Sequence, residues 1–340
     1  MADVRFIAEW ESCGRILMAL PTADTDWGYM LDRVREQYRR IVRCLTEAGE
    51  NVVMLCHDID EAKLVFADLL GERLTLIPCR YNDTWTRDYG PLAAMRDERL
   101  RLLDFSFNGW GLKFAADRDN LVCEQLRDLG VWGDGVYRWE RDYELEGGSV
   151  DTDGQGTILT TSRCLCSPNR NGGRRKQEIN EILAARLGAD HVLWLDYGYL
   201  AGDDTDSHID TLARMAPGNT IVFTGCHDED DEHFEELLKM RAQLMMFRNA
   251  VGESYNLVEL PLPAPIYDED GKRLPATYAN YLVTERNIFI PSYGQPDTDR
   301  LAMQTLAIVF PDHKAYQIDC RELICQHGSL HCATMQIPDL

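Results

Sequence analysis

The sequence predicts an α/β fold: a single ring of five repeated ββαβ units. Three observations predict it. Amphipathic helical segments alternate with short strand-like runs along the whole chain. Residues with reactive side chains recur at the same place in the unit. The first apolar run, RILMALP over 15–21, has no helix before it. It therefore completes the last unit, closes the ring and leaves no free sheet edge. A fifth of the 340 residues is 68, which is room for two strands, a helix and a third strand. A doubly wound three-layer domain also alternates helix and strand. No GxGxxG or GxxxxGK[ST] phosphate loop follows any strand run, however.

Each element has a local reason. Five segments carry a helical stripe: Asp26–Gly49, Asp117–Gly130, Gly173–Gly188, Asp230–Phe247 and Thr298–Phe310. The third places Ile179, Ile182, Leu183 and Leu187 on one face and stops at Gly188, a residue suited to a left-handed cap. Gly49 and Gly130 stop the first two in the same way. After each helix comes a run of alternating β-branched or aromatic residues: NVVMLC from Asn51, VYRW from Val136, HVLWL from His191, YNLVEL from Tyr255 and AYQID from Ala315. Further strands are expected at PLAAM, TILTT, TIVFTG, IFIPS and ATMQIP. No Pro/Ser-rich linker or low-complexity segment interrupts this order, so residues 1–340 are expected to form a single catalytic domain.

Composition narrows the partners. The chain has 35 Lys and Arg against 57 Asp and Glu, a formal charge of −22. Such a balance excludes most nucleic-acid binders, which need clustered cations, and disfavours an anionic membrane surface. It suits a cationic ligand, because a field of one sign concentrates its counter-ion; it also serves solubility alone. No run of 18 apolar residues exists to span a bilayer. The start, MADVRFIAEWESCGR, lacks the apolar core of a secretory signal. The 11 cysteines are odd in number, scattered and without a CxxC pair. They point to buried thiols in a reducing, cytoplasmic setting, and to neither a disulfide framework nor a zinc site.

Four segments carry chemistry. Asn82-Asp83-Thr84-Trp85-Thr86-Arg87-Asp88-Tyr89-Gly90-Pro91 packs two carboxylates, an arginine and two aromatics into one turn; a capped surface loop would look similar. Glu146-Gly147-Gly148-Ser149 sets a carboxylate beside two glycines, which permit close approach of backbone to a ligand or simply make a turn. In Asp203–Asp210, the extended reading puts His208 and Asp210 on one face, where acid and base meet one substrate. Metal ligation is a competing use of that pair, although a zinc site needs a further His or Cys. In Gln326–Cys332, a neighbouring imidazole favours the thiolate of Cys332 as a nucleophile, whereas most free cysteines are buried packing. Each segment is weak alone. Together they fall in equivalent positions of different units, and the fourth unit offers Tyr278, Asn280 and Tyr281 as lining.

The set resembles the agmatine deiminase and bacterial-type peptidylarginine deiminase family of the guanidino-group-modifying superfamily. The resemblance runs through most of the chain. It rests on Ala8-Glu9-Trp10-Glu11 with Leu20-Pro21, on Asn82-Asp83 to Pro91, and on Glu146-Gly147-Gly148-Ser149. It continues through Ser167-Pro168-Asn169-Arg170-Asn171, Thr205–Asp210 and His331-Cys332. It implies a five-bladed α/β propeller of the pentein type. It also implies that Cys332 is the nucleophile, His208 the catalytic histidine, Glu146 the acid beside it, and Asp88 and Asp210 the carboxylates that grip a guanidinium. The expected substrate-binding set is Asp88, Asp210, Trp85, Asp83, Arg87 and Trp10. The family's usual GGGNIHC-like run stands here as Gln326-His327-Gly328-Ser329-Leu330-His331-Cys332, a departure that falls on the substrate's tail pocket.

The implied reaction is hydrolytic deimination through a covalent thiouronium on Cys332, with His208 as acid and then base. It requires no metal or organic cofactor. The expected partner is a small cationic guanidino compound, with agmatine, giving N-carbamoylputrescine and ammonia, preferred over free, peptidyl or methylated arginine. Amidinotransfer on the same scaffold, a binding protein for guanidines and a metal hydrolase built on His208 and Asp210 are the competing readings. A homo-oligomer is compatible with the sequence, which does not set the oligomeric state.

Overall fold

The computed structural model describes residues 4–12, 14–133 and 136–338. Among them the strands form five separate sheets. Four follow the chain in order. The first joins Val4–Phe6, Leu92–Arg96, Arg99–Ser106 and Tyr137–Glu144; the second Val150–Thr152, Thr157–Thr161 and His191–Leu195. The third joins Ala213–Ala216, Thr220–Gly225 and Asn256–Pro261; the fourth Leu282–Val283, Asn287–Ser292 and Lys314–Asp319. The fifth draws on both ends of the chain, with Met335–Pro338 antiparallel to Gly14–Ala19, which then pairs in parallel with Asn51–Cys56. Leu74–Pro78 extends that sheet in parallel.

One pattern repeats in all five sheets. An antiparallel pair is followed by a parallel partner, and the parallel step crosses over through a helix. Parallel strands need such a crossover, whereas antiparallel ones join by a tight turn. The crossover helices are Leu31–Glu47, Val122–Asp128, Lys176–Leu187, Phe234–Met246 and Pro296–Val309. Four of them fall inside the predicted helical segments, and the fifth starts two residues before its predicted bound, at Pro296. The predicted stops hold as well: Gly49, Gly130 and Gly188 all adopt positive φ. The first helix buries Val34, Tyr38, Ile41, Val42 and Leu45, one face of a 3.6-residue period. Each such aliphatic side chain stabilises the fold by about 1.5–3 kcal/mol.

Two expectations change. The segment around His208 is not extended: Ile209–Thr211 is a turn of 3-10 helix. The strands expected at TILTT, TIVFTG and IFIPS exist, but each is the second of its hairpin. The first strands, Val150–Thr152, Ala213–Ala216 and Leu282–Val283, are only 3, 4 and 2 residues long. Such stretches are too short to display a period of two.

These short first strands position the site. Asp88 precedes the strand at Leu92, Glu146 and Gly148 precede Val150, and Asp210 precedes Ala213. Asn280 precedes Leu282, and Cys332 precedes Met335. Each sheet therefore delivers at least one residue from the same connection.

Candidate active site

Asp88, Glu146, His208, Asp210 and Cys332 are all buried and face one another. Asp88 sits on a short helix, Thr86–Tyr89. Its carboxylate accepts from the Gly148 N–H at 3.0 Å and from Trp110 Nε1 at 2.9 Å. His208 presents Nδ1 to Asp88 at 3.6 Å and Nε2 to Glu146 at 3.5 Å, beyond good hydrogen-bond distance. Asp210 Oδ2 lies 2.8 Å from His331 Nδ1 and 3.3 Å from Asn280 Nδ2. The Cys332 thiol lies 3.8 Å from Asp210 Oδ2 and 3.2 Å from Asn280 Nδ2.

Gly148 is where the groups converge. A Cβ there would lie 2.7 Å from His208 Nδ1, 2.9 Å from Asp88 Oδ1 and 3.0 Å from Asp210 Oδ2. No side chain fits that gap, which explains the second glycine of Glu146-Gly147-Gly148. Gly328 has a parallel role: a Cβ on it would overlap the ring of Trp85.

Burial governs the electrostatics. It pushes the Cys332 thiol well above its ordinary range, and the carboxylates of Asp210 and Asp88 add to the effect. Burial also disfavours a charged His208, yet Asp88, Cys164 and Glu146 outweigh it and hold the imidazole well above its usual value. Asp88 is raised by burial, against the pull of His208. Burial acts upward on Glu146 too, but His208 and Arg170 overcome it and hold this carboxyl low. Asp210 is likewise held low, because His331 outweighs its burial.

A cavity opens from Cys332 toward the surface. Among its lining, Asp88, Trp85, Trp110 and Thr211 are buried, whereas Asp26 and Phe114 are exposed and Asp83, Asp203, Asp204, Gln326 and His327 half-buried, so the latter two groups stand toward its outer end. Burial raises Asp83 to about 7; Asp26 and Asp204 push the same way and the Thr84 N–H opposes them. His327 holds φ at 68°, in the left-handed region where glycine is at ease. It occupies the place of a glycine in the GGGNIHC-like run. Its Nδ1 lies 2.7 Å from the Gly202 carbonyl.

The structure brings Asp83, Trp85, Asp88 and Asp210 to this cavity or its floor. It does not bring Arg87 or Trp10. The Arg87 guanidinium turns away to Glu9, at 2.9 Å, and to Gln336; its backbone N–H supports the Cys332 carbonyl at 3.2 Å. Arg87 follows Trp85 on one helical turn, so it cannot share the side facing the cavity. Trp10 lines a different depression with Met215, Asn219 and Tyr255. His331 also differs from expectation. Its ring lies between Asp210 and Glu9, at 2.8 and 2.7 Å, and faces carboxylates rather than the thiol.

Other contributors carried little signal in the sequence. Trp110, inside Asn108-Gly109-Trp110-Gly111, holds φ at 54° to point its indole at Asp88. Asn280 was legible only as lining. Glu9 and Arg170 were part of quoted motifs without a role. Among the described residues, Glu146, Cys164 and His208 place ligand atoms within 4.8 Å of one another. Arg170 Nε already engages both Glu146 oxygens at 2.8 Å, so a cation there would face a fixed guanidinium.

Comparison with known proteins settles the family. The model of the Porphyromonas-type peptidyl-arginine deiminase family matches residues 5–338. The chain belongs to that family. It is a guanidino-group hydrolase. A Legionella pneumophila protein named "Putative agmatine deiminase" is 33% identical across 97% of this chain and 94% of its own. A Porphyromonas gingivalis structure named "Putative Arginine Deiminase" superposes with a TM-score of 0.92 at 42% identity, covering 99% of each chain. The C. jejuni agmatine deiminase, crystallised with substrate bound, has a TM-score of 0.91 at 34% identity and covers 99% of this chain and 97% of that one.

Proposed function

We propose that this member of the family hydrolyses agmatine to N-carbamoylputrescine and ammonia, with Cys332 as nucleophile. The observation that carries the reading is the charge of the cavity at both ends. Asp88 and Asp210 act on the thiol, Asp210 from 3.8 Å, and four further aspartates, Asp26, Asp83, Asp203 and Asp204, line the cavity and are all less buried than Asp88. No lysine or arginine lines it among the described residues. A ligand with a cation at each end fits this pattern. Free arginine would bring its α-carboxylate against Asp26, Asp83, Asp203 and Asp204.

The chemistry follows from the named atoms. Asp88 and Asp210 orient the guanidinium by charge-assisted hydrogen bonds. Its positive charge offsets the two carboxylates that hold the thiol proton, so binding favours the thiolate and the proton leaves to solvent. Sγ then bonds to the central carbon as one C–N π pair moves to nitrogen. Collapse breaks a C–N bond, and His208 gives its proton to the departing amine, which leaves as ammonia. The neutral His208 next takes a proton from water whose oxygen bonds to the thiouronium carbon. The second collapse breaks the C–S bond as the new hydroxyl gives up its proton to sulfur, which releases the neutral ureido product and the thiol. Glu146 keeps His208 oriented and favours its charged form.

In this reading the five sheets are the blades of one pentein propeller. The pairing of Gly14–Ala19 with Met335–Pro338 closes the ring, and the whole chain is a single catalytic domain. No helix of the described residues is long and apolar enough to cross a membrane. We place the enzyme in the cytoplasm because its eleven scattered cysteines suit a reducing setting. Ammonia and ureido product measured over agmatine, arginine, a peptidyl arginine and methylarginine test the substrate. Turnover of agmatine at the highest kcat/KM is expected; a higher value for an arginine compound overturns the assignment.

A further inference from the structure

We propose that Arg170 is the positioning residue of the catalytic pair: it pairs with both Glu146 oxygens and braces the backbone turn that delivers His208. The proposal rests on the functional reading above.

Arg170 is one of the largest fully buried side chains in the molecule. Its donors go to three separate targets. Nε engages both oxygens of Glu146 at 2.8 Å. One terminal nitrogen reaches Asp206 Oδ2 at 2.6 Å, and the other the Thr205 carbonyl at 3.0 Å. Asp206 and Ser207, the two residues before His208, both hold positive φ, at 67° and 63°. Non-glycine residues persist in that region only when their surroundings over-determine them. The Arg170 fork and Lys113, the latter on the other Asp206 oxygen at 2.8 Å, hold Asp206 and the Thr205 carbonyl, while Asp203 accepts from the Ser207 N–H at 2.7 Å and Thr205 from the His208 N–H at 3.1 Å. Gly111 makes room for the fork: a Cβ there would stand 3.2 Å from the guanidinium, and φ is 81°. Gly111 follows Trp110, the donor to Asp88. One guanidinium thus ties together the segments carrying Glu146 and His208 and abuts the one that orients Asp88.

The charge has a direct consequence. Glu146 is faced by Arg170, His208, Cys164 and Asp88; His208 is faced by Asp88, Glu146, Cys164 and Asp210. Arg170 is the only permanent cation among these groups. Without it, Glu146 protonates at higher pH and ceases to support the imidazolium. A lysine keeps the charge but has no planar fork to span three acceptors.

The test compares Arg170→Gln and Arg170→Lys with the native enzyme on agmatine. For Arg170→Gln, kcat falls on the order of 10²-fold, KM moves little, and the acid limb of the kcat profile shifts to higher pH. For Arg170→Lys, kcat falls but the limb stays. Native kcat in both variants, or an equal loss in both with no shift of the limb, overturns the proposal. So does a rise in KM at constant kcat. Should Arg170→Gln not fold, Asp206→Asn is measured instead. It removes the charge of the acceptor that Arg170 holds in the His208 turn and weakens that contact, so kcat falls at constant KM; an unchanged kcat overturns the positioning role. Carbon-13 titration of the Glu146 carboxyl in native and Arg170→Lys or Arg170→Gln protein needs no turnover. A midpoint that rises only on loss of the charge supports the proposal, and an unmoved one overturns it. Failure of the native enzyme on every guanidino compound would strike the functional reading instead, and leaves this titration valid.

Discussion

At the scale of single residues, the site is held by atoms that leave no spare room. Gly148→Ala puts a methyl against His208, Asp88 and Asp210 at once. The backbone there accepts alanine, so the damage falls on the site. We expect kcat/KM to drop by on the order of 10²-fold or more, with a melting temperature close to native; steady-state kinetics beside calorimetry checks both. Asp83 gives a second prediction. It is raised to about 7, so it loses its charge as pH falls through neutrality and the mouth of the cavity becomes less negative. KM for agmatine should therefore rise between pH 8 and 6, and Asp83→Asn should raise KM at pH 8 and flatten that dependence. The five catalytic candidates were legible in the sequence because each sits in a compact run of unusual residues. Arg87 and Trp10 were misassigned to substrate for the same reason: proximity in sequence to Asp88 and Glu9 does not say which side of a turn faces the cavity. Arg170 was quoted without a role and Trp110 was missed, because what they do lies in long-range contacts.

At the scale of elements, the N-terminal turn Glu9–Glu11 is a structural key. Glu9 accepts from Arg87 at 2.9 Å, Arg214 at 2.7 Å and Gln336 at 2.9 Å, and meets His331 at 2.7 Å. Arg214 also pairs with Asp151. The two arginine side chains are 4% and 2% exposed. Removing one partner from such a buried network costs about 3–5 kcal/mol, since uncompensated charge remains inside. Glu9→Ala should lower stability by about that amount in a denaturant titration, and weaken turnover through His331 and Asp210. A change under 1 kcal/mol would mean the network adds little. The longest crossover helix, Leu31–Glu47, was legible because a 17-residue amphipathic period is a strong signal, whereas Lys176–Leu187 was legible from its Ile179, Leu183 and Leu187 and its stop at Gly188. The hairpin strands of two to four residues were not, and the turn at Ile209–Thr211 was misread as extended because Asp206 and Ser207 adopt positive φ that their identities do not announce.

At the scale of the whole molecule, the charge of −22 acquires a use. In the proposed reading Asp88 and Asp210 meet the guanidinium, and Asp26, Asp83, Asp203 and Asp204 face the other end. The remaining acids set the sign of the field through which a cation approaches. Salt shortens the reach of that field, to roughly 10 Å at 0.1 M and 3 Å at 1 M. For agmatine, kcat/KM should fall several-fold over that range with kcat nearly constant; a flat response would leave the surface charge to solubility alone.

The central claim is that Cys332 carries the substrate carbon during turnover. Acid quenching of the native enzyme with agmatine, followed by intact and peptide mass spectrometry, tests it directly. The account predicts an adduct on Cys332 with the mass of agmatine less ammonia, absent in Cys332→Ala, whose ammonia release should be undetectable. Turnover by Cys332→Ala near the native rate, with no adduct in the native enzyme, would contradict it.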